Sequence, residues 1–378
     1  MNPRYAVTAM TPPRIQILLP TYEPRSDFLR AAVESVITQT ETRWTLSVHD
    51  DASTIDVRAI VQPYFKDSRI TFARNPRRLG IGGNWNACLE KILEPTTYPL
   101  QPTPYIQFLF QDDVWDFSYL ERMCGILDNH PTVGCVSGEH EYECEEEMPT
   151  TPLYRALEET RKNLLAPGLH NGLSFLQWWL ERGLHPNFIG EPSFVMMRRF
   201  LIERVGAFDR RMPQYLDVEY WTRCLATTDW YFLAGSFGTF RVHSQSASAR
   251  NRHANSDLCD RLLCIERALA LARVPKTKRT TILGKSLAQM LWKMHQPSLR
   301  RKMSNPSSIL PFLYFCVRHP IVCNAALFRS LRNRLPSPIH HHLHRAAGDL
   351  HPCTHGNARA AQCAHPRQER DSACQECR

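Results

Sequence analysis

Two adjacent carboxylates, Asp112 and Asp113, follow Gln111 and the apolar segment 105–110, which is typical of a buried strand. Both acids are therefore expected at the carboxyl end of that strand. Adjacent like charges repel each other unless solvent or a bound cation neutralises them. Open α/β sheets bind ligands outside the carboxyl ends of their strands, so a divalent metal here would meet a phosphate-bearing substrate. An acidic turn is the alternative, and the other segments decide between the two.

Three further segments place polar or glycine residues beside predicted strand ends. The residues Pro20-Thr-Tyr-Glu23 follow a first strand, and the pair Asp50-Asp51 ends a second. The glycines at 80, 82 and 83 precede a helix, so backbone N–H groups there can approach an anion. Trp85 stands where the dinucleotide fingerprint needs glycine, and no phosphate-binding P-loop motif occurs near a strand.

The elements that position these residues alternate between strands and helices. Apolar runs predict strands, and apolar residues at helical spacing between them predict helices, which favours an α/β fold with a parallel sheet covered on both faces. The acidic stretch 139–147 is interpreted as a solvated loop, and Trp178 and Trp179 as core residues rather than a sugar-stacking pair. The strands are predicted at 15–19, 44–48, 69–72, 105–110, 133–137, 230–233 and 237–242, and the later helices at 153–164, 173–182, 198–205 and 215–226.

The charge of the chain is unevenly distributed. The formal net charge of its 378 residues is +9, yet the part up to Asn251 is mildly acidic and the part beyond it is strongly basic. A basic segment suits phospholipid headgroups, nucleic acid or an acidic partner, and charge alone does not choose among them. The 13 cysteines show no disulfide-like spacing and residues 1–14 show no signal peptide, so a reducing cytosol is expected. The apolar run 309–317 is too short to span a bilayer.

These patterns predict four regions: a flexible N-terminus at 1–14, a sheet domain at 15–250, a basic helical extension at 251–335 and a tail at 336–378. The tail is rich in histidine, cysteine and arginine and poor in large aliphatic residues, so it is expected to be disordered. Its pairs Cys353-x-His355, Cys363-x-His365 and Cys374-x-x-Cys377 leave a zinc site open as the less favoured alternative.

Taken together, residues 15–250 resemble a family 2 glycosyltransferase of the GT-A fold, a Rossmann-like, mostly parallel sheet flanked by helices. Members of this family transfer a sugar from a nucleotide diphosphate to an acceptor hydroxyl. Each matching segment is weak alone, but they occur in the family's order and each lies near the end of a predicted element. The segments are Leu19-Pro-Thr-Tyr-Glu23, Val48-His-Asp-Asp-Ala-Ser53, Gly80-Ile-Gly-Gly-Asn-Trp-Asn86, Phe110-Gln-Asp-Asp113, Val205-Gly-Ala-Phe-Asp209, Asp217-Val-Glu-Tyr-Trp221 and Arg241-Val-His243.

The resemblance implies a nucleotide site and a metal site. Asp51 would accept a hydrogen bond from the imino N–H of the base, which suits a group that only accepts. Asp113 would bind Mn²⁺ or Mg²⁺ with His243 completing the metal site, and Asp112 would approach the ribose or the metal shell. The residues assigned to the nucleotide are Pro20, Thr21, Tyr22, Glu23, Asp51, Asn84 and Asp112. Plain turn chemistry is an equal alternative for Asn84.

The resemblance also implies a general base and an acceptor site. Asp217 aligns with the base of inverting members, Glu219 is the reserve candidate, and an exposed helical acid is the alternative for Asp217. Glu191, in Gly190-Glu-Pro-Ser193, is assigned to the floor of the acceptor pocket, where a simple turn would explain it nearly as well.

The expected function is a metal-dependent, inverting glycosyltransferase that uses a UDP-sugar in surface polysaccharide or glycolipid synthesis. It would act in the cytoplasm, peripherally on the inner face of the membrane through its basic helices, on a saccharide or lipid-linked acceptor and without nucleic acid. A nucleotidyltransferase is less favoured, because Pro20-Thr-Tyr-Glu23 is not the glycine-rich basic loop expected after its first strand. A catalytically silent nucleotide-binding scaffold is the remaining alternative.

Overall fold

The computed structural model describes residues 12–93, 103–145, 151–243 and 257–294, together with 315–320, 322–324 and 326. The predicted tail 336–378, its three Cys/His pairs and most of the N-terminal segment 1–14 lie outside these residues. The described residues all belong to one compact unit, Met1–Arg332.

Within the described residues, a mixed sheet of nine strands forms the centre of this unit, in the order β3-β2-β1-β4-β8-β6-β9-β5, with β7 paired to β9. The first four strands run parallel, as predicted, whereas β8 is antiparallel to both of its neighbours. The strands are β1 (Ile15–Thr21), β2 (Trp44–Asp50), β3 (Ile70–Arg74), β4 (Tyr105–Phe108), β5 (Val114–Trp115), β6 (Val133–Cys144), β7 (Gly168–His170), β8 (Val195–Arg198) and β9 (Asp229–Val242).

Helices flank the sheet, and their apolar side chains are buried in two hydrophobic cores that they share with the strands. In the first helix, for example, Leu29, Ala32, Val33 and Val36 recur at helical spacing and are buried. The helices are α1 (Ser26–Ile37), α2 (Val57–Val61), α3 (Ile81–Leu93), α4 (Tyr119–Asn129), α5 (Thr151–Leu164), α6 (Gly172–Glu181), α7 (Arg199–Val205), α8 (Leu216–Leu225), α9 (Asp257–Leu271) and α10 (Lys276–Met294), with short 3₁₀ helices at Gln62–Lys66 and Pro192–Phe194.

The register of β1 brings three strand ends to one edge of the sheet. Thr21 pairs with Asp50 of β2, and Leu18 pairs with Phe108, the last residue of β4. Because the three strands are parallel, the segments that follow them, which carry Tyr22, Asp51 and Asp112, leave the sheet on the same side.

The acidic stretch predicted as a loop is, up to Cys144, the second half of strand β6. Its residues alternate between faces, so that Glu141 and Glu143 are exposed while His140 is buried. The two strands predicted at 230–233 and 237–242 are one strand, β9, which runs parallel to β6 with register irregularities. The glutamates of this stretch point to solvent from one face of β6, and for that reason their charge wrongly indicated a loop.

Helix α9 shares a hydrophobic core with the sheet domain rather than lying apart from it. Leu262, Ile265 and Leu269 are buried in the cluster that also contains Trp179 of α6 and Trp221 of α8. The buried position of Trp179 agrees with the interpretation of this tryptophan as a core residue. Among the described helices, none combines the length and apolar character needed to cross a bilayer.

This shared core can be tested with two matched substitutions on α9. Leu269 is 1% exposed and Leu271 is 41% exposed, although both are leucines of the same last turn. We expect Leu269→Ala to lower the free energy of unfolding by about 2–5 kcal/mol, because it leaves a cavity, and Leu271→Ala to change it far less. Urea denaturation measures both. Equal effects would show that α9 does not pack in this core.

Candidate active site

A cavity of about 430 Å³ opens at the edge of the sheet where β1, β2 and β4 end. Four carboxylates line it, those of Asp51, Asp112, Glu191 and Asp217, and among its described lining residues Arg78 is the one cation. The stacked rings of Trp85 and Phe110, with centroids 4.8 Å apart, form an apolar wall. A ligand that fits must combine apolar surface with hydrogen-bond donors or cations that interact with several carboxylates.

Pro20, Thr21 and Tyr22 line the cavity, and neighbouring segments hold them in place. The Tyr22 N–H donates to the Gln111 side chain at 2.8 Å, and the Gln111 amide donates back to the Tyr22 carbonyl at 3.3 Å. The Arg78 guanidinium lies over the Tyr22 ring, 4.1 Å from its centroid. Gln111 thus links the loop that follows β1 to the segment that carries Asp112 and Asp113.

Glu23 is not among the residues that line this cavity. Its carboxylate accepts the Thr54 N–H at 2.6 Å, and this bond outweighs burial and lowers the pKa of Glu23. The structure therefore gives Glu23 a role in joining the loops that follow β1 and β2, and its predicted contact with a nucleotide is not supported by the geometry.

Asp51 lines the cavity and organises the loop at 75–80. Its Oδ1 accepts from the Leu79 N–H at 2.7 Å and from the Asn75 amide at 2.9 Å, and its Oδ2 accepts from the Gly80 N–H at 2.9 Å. A carboxylate offers about four acceptor sites, so about one remains for a ligand. Gly80 has φ +76°, a backbone conformation that favours glycine.

Asn84 also lines the cavity, but its amide is occupied within the protein. The Nδ2 group donates to the carbonyls of Thr21 and His49 at 3.3 and 3.2 Å, and Oδ1 accepts from Asn75 at 3.0 Å. Both amide hydrogens thus tie α3 to the ends of β1 and β2. This is a supporting role rather than the direct nucleotide contact that the resemblance implies.

Asp112 and His243 meet beside the cavity. The Nε2 atom of His243 lies 2.9 Å from Oδ2 of Asp112, and the edge of the imidazole packs on the Phe28 ring at a centroid distance of 5.5 Å. Strands β4 and β9 therefore bring together two residues that are 131 positions apart in the chain. A carboxylate and an imidazole suit Mn²⁺, and one carboxylate with substrate phosphates suits Mg²⁺. Within the described residues, no group of three or more such ligands occurs.

Asp113 lies behind Asp112, is fully buried and does not line the cavity. Its Oδ1 accepts the Arg241 N–H at 3.3 Å. Burial, followed by the charge of Asp112, raises the pKa of Asp113 well above its ordinary range. The structure therefore presents Asp112, and not Asp113, as the carboxylate of this pair that faces a ligand.

Asp217, at the start of α8, is half-buried and lines the cavity. Asn187 donates to its Oδ2 at 2.9 Å, and the Val218 N–H approaches its Oδ1 at 2.8 Å. Burial raises the pKa of Asp217 to about 7, and the negative charge of Glu191 acts in the same direction. The reserve candidate, Glu219, is buried and bound to Arg223 instead.

Glu191 lines the cavity with Asp217, as the acceptor assignment requires. Its Oε2 lies 3.1 Å from Nε2 of His140. Burial would raise the pKa of Glu191, but His140 and the charge of Arg161 outweigh burial and lower it.

Sequence reasoning missed Gln111, Asn187, His140 and Arg161. The alternation of acidic and inward residues in Glu139-His-Glu-Tyr-Glu143 was a signal for His140. Gln111, Asn187 and Arg161 act on groups that are distant in the chain, at separations such as 89 and 30 residues. No local sequence pattern therefore predicts their roles.

The comparison with protein families shows that residues 16–206 match the model named glycosyl transferase family 2. This range covers about half of the chain and includes every predicted site residue except Asp217 and His243.

Individual relatives agree with this match. The chain is 26% identical over 249 residues to an uncharacterised Mycobacterium tuberculosis protein, MT1568, covering 66% of this chain and 73% of that one. It is 30% identical over 113 residues to the Escherichia coli UDP-Glc:alpha-D-GlcNAc-diphosphoundecaprenol beta-1,3-glucosyltransferase WfgD, covering 30% of this chain and 40% of the relative. The structure of S. aureus TarS 1–349 in complex with UDP-GlcNAc shares the fold, with a TM-score of 0.58, 14% identity and 79% coverage of each chain.

Proposed function

This chain belongs to glycosyl transferase family 2, and from that premise we propose that it is a metal-dependent, inverting enzyme that transfers a sugar from a UDP-sugar to a saccharide or lipid-linked acceptor. One observation carries the proposal. A single cavity holds the loop Thr21-Tyr22 and Asp51 for a nucleotide, Asp112 beside His243 for a metal, and Asp217 with Glu191 for a hydroxyl-bearing acceptor.

The donor proposal is supported by the remaining acceptor capacity of Asp51. Its three bonds to the loop at 75–80 fix the carboxylate in place and leave about one lone pair for the imino N–H of a uracil base. WfgD is named for a UDP-glucose donor, and the TarS structure contains UDP-GlcNAc, so a UDP-sugar is the donor that we propose.

The metal proposal assigns Asp112 and His243 as the protein ligands of Mn²⁺ or Mg²⁺. The two side chains are already in contact, and Asp112 faces the cavity, whereas Asp113 is sealed behind it. We therefore propose the reverse of the roles that the resemblance implies for the two aspartates. A bound divalent cation would stabilise the negative charge of a departing diphosphate.

The transfer chemistry is assigned to Asp217. The acceptor oxygen attacks the anomeric carbon, the bond from that carbon to the diphosphate oxygen breaks, and the hydroxyl proton passes to the Asp217 carboxylate. Asn187 donates to Oδ2 and fixes the orientation of the carboxylate. Attack by an activated hydroxyl in one displacement inverts the anomeric centre.

A lipid-linked acceptor would require the enzyme to reach a membrane surface. The exposed Lys278 and Lys285 lie seven residues apart, and therefore on one side of α10, while Ile282 and Leu287 are buried. We propose that this side contacts anionic headgroups on the cytoplasmic leaflet, where each basic residue adds about 1 kcal/mol.

The proposed role of Asp217 can be tested by substitution. We expect Asp217→Asn to lower kcat about 10²- to 10⁴-fold with donor binding retained, because the amide cannot take up the proton. In the parent enzyme, kcat/KM should fall about tenfold per pH unit below pH 7, since the pKa of about 7 leaves the base protonated there. Glu203→Gln, at a more exposed acid of α7, is the control. Donor binding by a parent protein without any turnover would support the scaffold alternative.

The matched variants Asp112→Asn and Asp113→Asn test which aspartate binds the metal. Mn²⁺ at 100 times its Kd, added with UDP, should stabilise the parent by about 2.7 kcal/mol. We expect Asp112→Asn and His243→Ala to lose this stabilisation and Asp113→Asn to keep it, measured by thermal denaturation without turnover. Loss in Asp113→Asn with retention in Asp112→Asn would restore the roles implied by the resemblance.

Charge reversal on the basic side of α10 tests the proposed membrane contact. The double variant Lys278→Glu, Lys285→Glu should bind liposomes of anionic lipid more weakly in a flotation assay, and the binding of the parent should fall with salt. The exposed Lys66 and Lys91, changed together to glutamate, give a control with the same change in net charge. Equal losses in both double variants would contradict a specific contact through α10.

A further inference from the structure

Three charged or titratable side chains cluster beside Gly190, at the part of the cavity that Glu191 lines. His140 of β6 is 2% exposed and Arg161 of α5 is 4% exposed, and atoms of both lie within 4 Å of the position that a Cβ on Gly190 would occupy. The contact between His140 and Glu191 is 3.1 Å. The transfer chemistry derived above uses neither His140 nor Arg161.

Arg161 is a buried cation without sufficient hydrogen bonds. Its Nε and Nη2 atoms have no hydrogen-bond partner, and Nη2 lies 3.5 Å from the position that a Cβ on Gly190 would occupy. A Cβ at 190 would only touch this guanidinium, but the φ of +104° at this position favours glycine. A buried charge is tolerated only when an opposite charge compensates it, and Glu191, next to Gly190, supplies that charge.

His140 is held rigidly against the same carboxylate. Its ring stacks on Phe194 with centroids 4.1 Å apart and an interplanar angle of 14°, and Tyr142 packs against its edge at 5.0 Å. Both aromatic neighbours restrict rotation of the imidazole. Glu191 thus contacts an imidazole at 3.1 Å and experiences the charge of a buried guanidinium.

We propose, on the basis of the function proposed above, that His140 and Arg161 are positioning residues that hold Glu191 as a fixed anion, which binds the hydroxyl groups of a saccharide and acts electrostatically on Asp217. A carboxylate that only accepts hydrogen bonds suits a hydroxyl-rich ligand. The cavity wall beside it, formed by Tyr154 and Phe240, adds aromatic surface for a sugar ring.

Different charges act on Glu191 and Asp217, and this difference supports separate roles for the two carboxylates. Asp217 experiences the charge of Glu191, the Asn187 amide and its own backbone contacts, and it lies near the Cys264 thiol of α9. Glu191 experiences His140 and Arg161, and it lies near Tyr142 and Asp113. One acid of the pair stays ionised and the other holds its proton more tightly, an arrangement that separates two acids into different roles.

The test is the pH profile of kcat/KM together with the KM for the acceptor. Glu191→Gln keeps the shape of the side chain and removes its charge, so Asp217 should lose its proton more easily. The acid limb of the profile should move to lower pH by about one unit, and the acceptor KM should rise. Arg161→Met should move the limb in the same direction, because Glu191 without its cation takes up a proton, and Arg161→Lys should restore the profile in part.

The neighbouring exposed cation, Lys162, gives the matched control, since Lys162→Met removes a charge that pairs with Glu158. Its profile should equal that of the parent. If Arg161→Met fails to fold, His140→Phe, which keeps the stacking on Phe194, replaces it. A parent without transfer would reject the proposed function itself. An active parent whose acid limb and acceptor KM do not change in Glu191→Gln would overturn this inference alone.

Discussion

Repulsion among four carboxylates that line one cavity is the constraint to which the rest of the site responds. Unpaired negative charges in a partly buried space are costly, and the structure compensates each one differently. Asp51 accepts three N–H groups from the loop at 75–80, Asp112 contacts His243, and Glu191 contacts His140 and experiences the charge of Arg161. Asp217 has two neutral donors, the Asn187 amide and the Val218 N–H, and its pKa is raised to about 7.

This distribution of compensation separates the tasks of the site. In the function that we propose, Asp51 and Glu191 stay ionised as fixed acceptors, whereas Asp217 exchanges a proton near neutral pH as the general base. A diphosphate would add negative charge near Asp112, so the metal that we propose there offsets both the protein and the substrate.

Much of the fold could be predicted because strand ends and helix faces are local patterns. The runs 15–19, 44–48 and 105–110 predicted three strands of the sheet, and the residues after them include Tyr22, Asp51 and Asp112 of the cavity. Side-chain directions were harder, because β4 ends at Phe108 and the alternation of a strand no longer applies at Asp112 and Asp113. Charge also misled the prediction at 139–144, where outward glutamates conceal a strand that carries His140. The amide bonds of Asn84 could not be predicted from the sequence, because their acceptors lie on β1 and β2, which are distant from Asn84 in the chain.

The position of Asp217 depends on a helix that lies beyond the residues matched by the family. The segment between α7 and α8 is tied to α9 at two points: Arg267 contacts the Asp209 carboxylate, and Asp260 accepts the Gln214 N–H at 2.9 Å. Pro213 and Gln214 of this segment line the cavity, and α8 begins two residues later. A shift of α9 would therefore move the start of the helix that carries Asp217. Because α9 also packs in the core with Trp179 and Trp221, the basic extension and the sheet domain together position the residue that we propose as the base.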